Sequence, residues 1–525
     1  MKDYPNKSDA VFLAEGFEFG FKLHYEGPRY SVESKNLKSV LQNEELAKEK
    51  LEQEIALGRM AGPFPYKPIS NLRCSPIGLV PKKTGGFRLI THLSYPAGSS
   101  VNDGIDDALA SVRYSNFDNA VAIIKNLGQG ALLGKLDVKS AFRLLRIYPG
   151  DFSLLGIKLG ESYYIDKMAP MGLKISCAAW EAFAKFLNWS IKQRSASNKD
   201  CGNADCDHYL DDYIFAGPCS SGACLSLMKQ FLALCQELNV PIATEKTVWP
   251  CTCLTYLGYQ LDSITFEIKM PEEKVQNLLR IIESTLGRKR IKLKEMQSLT
   301  GSLAFCAKAM PSARAFIRRM YASMSGVARP HHHIRLSKGI REDLIMWQQF
   351  LSKFNGISYM LDSEWVSANT LKLQTDSAAG AALGCGLYFD GLWCHLSWPD
   401  QWSGSDILRD ITFLELVPIA LAVCLWKERF TAKRIQFACD NMAVVHILNS
   451  KTAKAERVMI LVRAIVKWSL LHNFHINALH VSSSNNGIAD SISRKQWQRF
   501  KRLAPAANQE PLDVPPEFWN LLPAK

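Results

Sequence analysis

The segment HYLDDYIF at 208–215 sets Asp211 and Asp212 side by side inside an otherwise apolar and aromatic, strand-like run. Adjacent like charges repel, and burying either one without a partner is expensive. A hairpin tip accepts Asp-Asp readily. A bound divalent cation would supply the missing positive charge equally well. These eight residues fit both readings, so the rest of the chain must decide.

At 525 residues the chain exceeds a single hydrophobic core, which predicts about three to four domains. It is 47% apolar and 22% charged, a composition of folded domains with little disorder. The net charge of +13 points to a polyanionic partner, either nucleic acid or an acidic membrane surface. The longest apolar run, 413–426, contains Glu415 and Pro418 and is too short for a bilayer. The first residues lack the apolar core of a secretory signal, so the expectation is a soluble, intracellular protein with no membrane partner. Fourteen cysteines fit reduced thiols better than a disulfide scaffold. The spacing of Cys201, Cys206, Cys219 and Cys224 admits zinc, but unrelated loop thiols are the better reading. The three histidines at 331–333 read as linker.

Residues 31–60 have helical periodicity with no Gly or Pro before Gly58. Residues 76–90 read as a hairpin around Thr84-Gly85-Gly86, carrying Lys82, Lys83 and Arg88. Strand-like runs and short helices alternate over 131–170, and helices are expected over 173–193 and 224–239. Residues 271–326 are helix-rich and basic, with 11 Lys and Arg against 4 Asp and Glu. Their densest part holds Arg288, Lys289, Arg290, Lys292 and Lys294, either a solvated face or a surface that follows a phosphate backbone. A linker over 327–368 precedes a second α/β unit that starts near 370.

Asp137 follows an apolar strand and precedes a short amphipathic stretch. Alone it reads as a cap. With Asp211 and Asp212 it offers a third carboxylate, and two Mg²⁺ ions about 3.5–4 Å apart, held by such oxygens, can organise an in-line phosphoryl transfer. The three can meet if their strands are neighbours in one sheet.

The order Asp137-x4-Phe142, "APMGLKISCAAWEAF", "YLDD", "EKT" and "TYLGYQLD" resembles the polymerase motifs of reverse transcriptases. Five motifs match in order between about 70 and 325, and their spacing is most similar to DIRS-like, tyrosine-recombinase retrotransposons. The resemblance implies a right-hand fold of fingers, palm and thumb. It makes Asp137, Asp211 and Asp212 the metal ligands and Phe142 the ring that excludes a ribose 2′-OH. It assigns Lys82 or Lys83, with Arg88, to the incoming triphosphate, Gly172 to a close backbone approach to template or nucleotide, and Lys246 to the pyrophosphate. Tyr256, Leu257 and Gly258 become the primer-gripping hairpin. Met171 departs from the Phe or Gln common before that glycine, which bears on template contact.

In the C-terminal part, Asp376 ends a strand, Glu415 lies on an apolar helix, Asp440 stands where a strand meets a helix, and Asp490 lies near a helix start. Singly each has a bland reading as a cap, turn or satisfied acid. Together they resemble the Asp-Glu-Asp-Asp set of ribonuclease H, and 486–494 resembles the N-x-x-A-D-x-x-S-R ending of retrotransposon copies. That resemblance implies a second two-metal site with water as nucleophile. The mobile histidine of many such enzymes has no match: residues 482–485 occupy its loop, and His480 lies earlier.

The expected organisation is an N-terminal helical extension (1–60), fingers and palm (61–270), a basic thumb-like region (271–326), a connection (327–368), a ribonuclease H-like domain (369–500) and a tail (501–525). The expected activity is RNA- and DNA-directed DNA synthesis, with cleavage of RNA in RNA–DNA hybrids. Expected partners are an RNA template, a DNA primer, the hybrid, dNTPs, and Mg²⁺ or Mn²⁺ as two ions per site; other proteins of the same element are further candidates. The rivals are a decayed copy that only binds nucleic acid, and a polymerase with an inert C-terminal domain. No protease, integrase or recombinase signature is read, and the sequence leaves open whether the chain is one segment of a larger polyprotein.

Overall fold

Strand Leu132–Asp137 lies inside a four-stranded sheet whose order runs Val248–Cys251, Leu132–Asp137, Asp212–Gly217, Asp205–Tyr209. The computed structural model describes residues 3–82, 85–354, 358–359, 364–482 and 486–523. It divides into two units, Met1–Leu257 with Ser263–Thr265, and Gly258–Asp262 with Phe266–Lys525.

In the first unit, helices Ser176–Ala196 and Ala223–Glu237 pack on the four-stranded sheet. Gly134 explains the closeness of the second helix: a Cβ there would collide with the Met228 sulfur. Trp180, Tyr213, Phe215 and Phe231 are fully buried between these elements, with the Tyr213 and Phe231 ring centroids 4.5 Å apart. The expected hairpin forms as Ile77–Pro81 and Phe87–Thr91.

The helix expected over 31–60 forms only in part. Val32–Glu33 is a strand paired in parallel with Arg73–Cys74, Lys38–Leu41 is a single turn, and Glu44–Ala56 is the only long helix of the stretch. Tertiary pairing overrides local propensity here. Glu33 is held by Lys67 at 2.8 Å and Lys158 at 2.9 Å, contacts that no local pattern announces.

The second unit opens with the paired strands Tyr259–Asp262 and Glu267–Lys269, followed by helices Glu272–Leu286 and Leu293–Cys306. The segment between the two helices is not helical. Arg290–Lys292 is a strand paired antiparallel with His333–Arg335, anchored by buried Ile291 opposite buried Ile334. The expected linker around 331–333 is therefore structured, because its alternating pattern completes this ribbon. Helix Lys338–Phe354 follows within the expected connection.

Farther on, Leu373–Ser377, Gly384–Phe389 and Leu392–Ser397 form an antiparallel sheet. Arg434–Cys439 pairs in parallel with His475–His480 and packs beside the first of those strands. Helix Ile411–Trp426 is apolar on nearly every face and correspondingly buried. Its start is fixed by Asp410, whose side chain accepts from Phe413 N–H at 3.0 Å. All fourteen cysteines are free thiols. No described helix is long and apolar enough to cross a membrane.

Candidate active sites

In the antiparallel ladder, Asp212 lies directly opposite Asp137. Leu210, at φ +54°, and Asp211 form the two-residue loop joining the Asp205–Tyr209 and Asp212–Gly217 strands. Val138 N–H donates to the Asp211 carbonyl at 2.9 Å and so ties that loop to the chain leaving Asp137. The neighbouring strands bring all three carboxylates to one end of the sheet.

Two ammonium groups face them, Lys246 Nζ at 2.9 Å from Asp137 and Lys135 Nζ at 2.9 Å from Asp212. Lys246 arrives on the turn Thr244–Lys246, which is anchored where Ala243 N–H donates to the Asp137 carbonyl. Burial pushes the Asp137 carboxyl above its ordinary range despite Lys246. Burial, then the Asp137 and Asp212 charges, push Asp211 up as well. Three carboxylates against two ammonium groups leave an excess of hard oxygen donors, a set that fits a divalent cation such as Mg²⁺.

Phe142 sits on the 3₁₀ turn Ala141–Leu144, partly buried against the core, just after left-handed Ser140. The next residue, Arg143, escaped the sequence reading. Its guanidinium reaches Glu54 at 2.8 Å and Asp166 at 2.7 Å, with Asp166 only 2% exposed. Glu54 lies on helix Glu44–Ala56, so that helix braces the turn carrying Phe142. Removing Arg143 strands a buried carboxylate. Arg143→Ala is expected to cost about 3–5 kcal/mol, read as a lowered urea midpoint; an unchanged midpoint would show that the clamp contributes nothing.

Gly172, at φ +108°, has a specific need for glycine: a Cβ would collide with the Thr91 carbonyl. The Met171 carbonyl accepts from Thr91 N–H at 3.3 Å, so this turn is docked on the end of the 87–91 strand. Lys82 and Arg88 are exposed on the hairpin, and Lys83 lies outside the described residues. Tyr256 is 1% exposed, which places its ring in the core instead of offering it to a ligand. Leu257 (φ +46°) and Gly258 (φ +84°) make the turn after it.

Lys289, Arg290, Lys292 and Lys294 are exposed. Arg288 is engaged by Glu295, with two contacts of 3.0 Å.

The second set also converges. Glu415, Cys439 and Asp440 place donor atoms within 4.8 Å of one another. A cavity of about 400 Å³ is lined there by Ile411, Glu415, Asp440, Asn441, Met442 and Ala443. Burial, with the Asp376 and Asp440 charges, pushes the Glu415 carboxyl up to about 8. Burial likewise pushes Asp376 up to about 6, opposed by a 2.6 Å hydrogen bond from Ser493. A crowded set of carboxylates, with Glu415 and Asp376 pushed up by burial and by neighbouring negative charge, again fits a divalent cation.

Asp490 is brought to Asp376 by its helix Gly487–Ser493. Asn486 donates to the Thr375 carbonyl at 2.6 Å, and Gln374 accepts from Ile488 N–H at 3.0 Å. Gly386 lets that helix lie against the sheet, where a Cβ would strike the Ala489 carbonyl. Asp490 is also gripped by Arg494, the last residue of the 486–494 motif, and by Arg499, which the sequence reading missed, each at 2.6 Å. These pull its carboxyl below the ordinary range against the effect of burial. His480 places Nε2 3.2 Å from the Asp440 carbonyl. Ser482 is described, and 483–485 lie outside the described residues.

Residues 80–261 match the family described as reverse transcriptase (RNA-dependent DNA polymerase). Protein P of duck hepatitis B virus (strain Germany/DHBV-3) is 26% identical over 191 residues, which are 36% of this chain and 23% of the viral protein. Protein P of heron hepatitis B virus is 21% identical over 305 residues, 58% of this chain and 35% of that protein. The chain thus spans well under half the length of these curated relatives. The foamy viral protease-reverse transcriptase in complex with dsDNA has a TM-score of 0.50 at 16% identity, covering 87% of this chain and 86% of that chain. The same viral protein in complex with RNA/DNA hybrid has a TM-score of 0.50 at 14% identity, covering 88% and 57%. At these identities the likeness is one of fold, a mixed α/β polymerase fold. The span that matches the reverse transcriptase family, residues 80–261, includes Asp137, Asp211 and Asp212.

Proposed function

We propose that this chain is the polymerase of a retrotransposon, of the DIRS-like kind, with two active sites. The first extends a DNA primer on RNA and then on DNA. The second, in a ribonuclease H-like domain over 369–500, cleaves the RNA of the hybrid. One observation carries the reading: Asp137 faces Asp212 in register, with Asp211 in the adjoining loop, inside the span that matches the reverse transcriptase family.

Asp137, Asp211 and Asp212 hold the divalent ions of the first site. Mg²⁺ or Mn²⁺ held by these carboxylates would supply Lewis-acid activation of the primer 3′-OH and charge stabilisation of the leaving pyrophosphate. Lys246 balances the Asp137 charge in the resting site and neutralises the pyrophosphate. Lys82 or Lys83, with Arg88, grips the triphosphate through charged hydrogen-bond donors. Met171 and Gly172 border the template and nucleotide, and the turn 256–258 holds the primer end. Lys289, Arg290, Lys292 and Lys294 follow the backbone of the primer–template, with Arg288 contributing least because Glu295 holds it. Asp376, Glu415, Asp440 and Asp490 hold the ions of the second site, where water attacks the RNA phosphodiester.

Primer extension on an RNA template, with and without Mg²⁺, tests the reading. Metal-dependent extension supports it, and none with any primer or metal sinks it. Phe142→Val should then raise ribonucleotide use relative to dNTP use, because the smaller side chain admits the 2′-OH. An unmoved ratio in a folded variant returns Phe142 to the core. A polymerase with an inert second site is the competing reading, favoured by the two arginines on Asp490 and the missing loop histidine; hybrid cleavage decides it.

A further inference from the structure

Resting on the two-site reading above, we propose that the short helix Trp497–Leu503 and the turn before it form a docking surface for the sugar–phosphate backbone of the RNA–DNA hybrid, beside the second carboxylate site. Residues 491–509 hold Arg494, Lys495, Arg499, Lys501 and Arg502 and no acidic residue. A merely solvated helix face ordinarily mixes signs; this one carries a single sign.

The surface is rigidly placed. Phe500 is 4% exposed and packs its ring 5.0 Å from Trp393, with Ile492 and Tyr388 in the same cluster. Arg494 and Arg499 spend their charge on Asp490 at 2.6 Å each, which fixes the segment against the carboxylate it borders. Arg502 lies two residues from Phe500, on the opposite side of the helix. Lys495, Lys501 and Arg502 are exposed and take part in no described ion pair. Lys495 occupies the turn between the two helices at φ +57°, a conformation that Gly or Asn adopts with less strain. The chain thus holds a cation where the backbone favours another residue. A polyanion whose scissile phosphate lies at the carboxylates must carry its flanking phosphates past this edge, and three unpaired cations are complementary to them.

The test uses the full chain and a defined RNA–DNA hybrid. The affinity is measured as a function of salt for the wild type and for the triple variant Lys495→Gln, Lys501→Gln, Arg502→Gln. Each lost phosphate contact flattens the slope of log K against log salt by about 0.7–0.9, so the triple variant should flatten it by about 2 or more. The KM for hybrid cleavage should rise with kcat little changed, and primer extension reports that the variant is folded. An unchanged slope and KM in a variant that still extends primers overturns the docking surface while leaving the two-site reading intact. If the wild type extends primers but never cleaves the hybrid, the reading of the second site fails instead, and the salt slope still decides whether this face holds nucleic acid. Weakened binding to an acidic protein, with hybrid binding unaltered, would also overturn the proposal.

Discussion

Asp211→Asn should leave a folded protein that no longer extends a primer on RNA. Asp211 lies in the loop between two strands, and among the described residues no side chain makes an ion pair with it: Lys246 lies on Asp137 and Lys135 on Asp212. Its carboxyl is pushed up by burial and then by the charges of Asp137 and Asp212. A raised folded-state value means that the metal-free fold is most stable while this group is protonated, and that it loses stability as pH rises through the carboxylate range. The Asn variant has no such charge, so without metal it should melt at or above the wild-type temperature at neutral pH. Activity should move the other way. Losing a direct ligand of a two-metal site removes several kcal/mol of transition-state stabilisation, about 10³-fold or more in rate. Near-wild-type extension by Asp211→Asn would remove the metal role from the loop. Lost extension together with a lower melting temperature would point to misfolding instead, and Asp137→Asn, on the opposite strand, then serves as the second measurement.

What could be read before folding was the chemistry that needs particular residue types at particular places. Asp211-Asp212 is improbable in an apolar strand unless something offsets it, and Asp137 at the end of another apolar strand offers a third carboxylate; that Asp212 lies opposite Asp137 is visible only in the fold. The partners that tune these groups were not legible. Lys246 is 109 residues from Asp137, and Glu54 is 89 residues from Arg143. Nothing in a local pattern says that a lysine or arginine will be spent on one carboxylate and not left in solvent. Arg494 and Arg499 lie closer to Asp490, four and nine residues away, yet the 486–494 motif does not say that its Arg is spent on Asp490, and Arg499 lies beyond it. The secondary-structure misses have the same origin. Residues 290–292 look like part of a basic helix until their partner strand at 333–335 is known, and Val32–Glu33 is a strand only because Arg73–Cys74 lies beside it. Helix Ile411–Trp426 was an uncomfortable place for an acid because its sequence neighbours are apolar. Its companions, Cys439 and Asp440, lie at and just past the end of a strand more than twenty residues on.

Glu415→Gln should separate the two activities and change the pH dependence of stability in the same experiment. The side chain keeps its shape, so the packing of its apolar helix should survive. Hybrid cleavage should fall by orders of magnitude, because one oxygen ligand of the second site loses its charge. Primer extension should continue, since Asp137, Asp211 and Asp212 belong to the other unit. The linkage gives a readout independent of activity. Glu415 has an ordinary value of 4.5 and is raised to about 8 by burial, Asp376 and Asp440. A group raised on folding favours the fold fully below its unfolded value, and that contribution is lost as pH climbs to the folded one. Without metal, the wild type should therefore lose stability relative to Glu415→Gln between about pH 4.5 and 8, by roughly 1.4 kcal/mol per pH unit at most. Above that window the difference should be constant. Added Mg²⁺ should stabilise the wild type more than the variant, because binding to the folded state alone raises stability. Parallel pH profiles for the two proteins would mean that Glu415 is not held near other carboxylates. Loss of extension in a well-folded Glu415→Gln would mean that the two sites do not work separately.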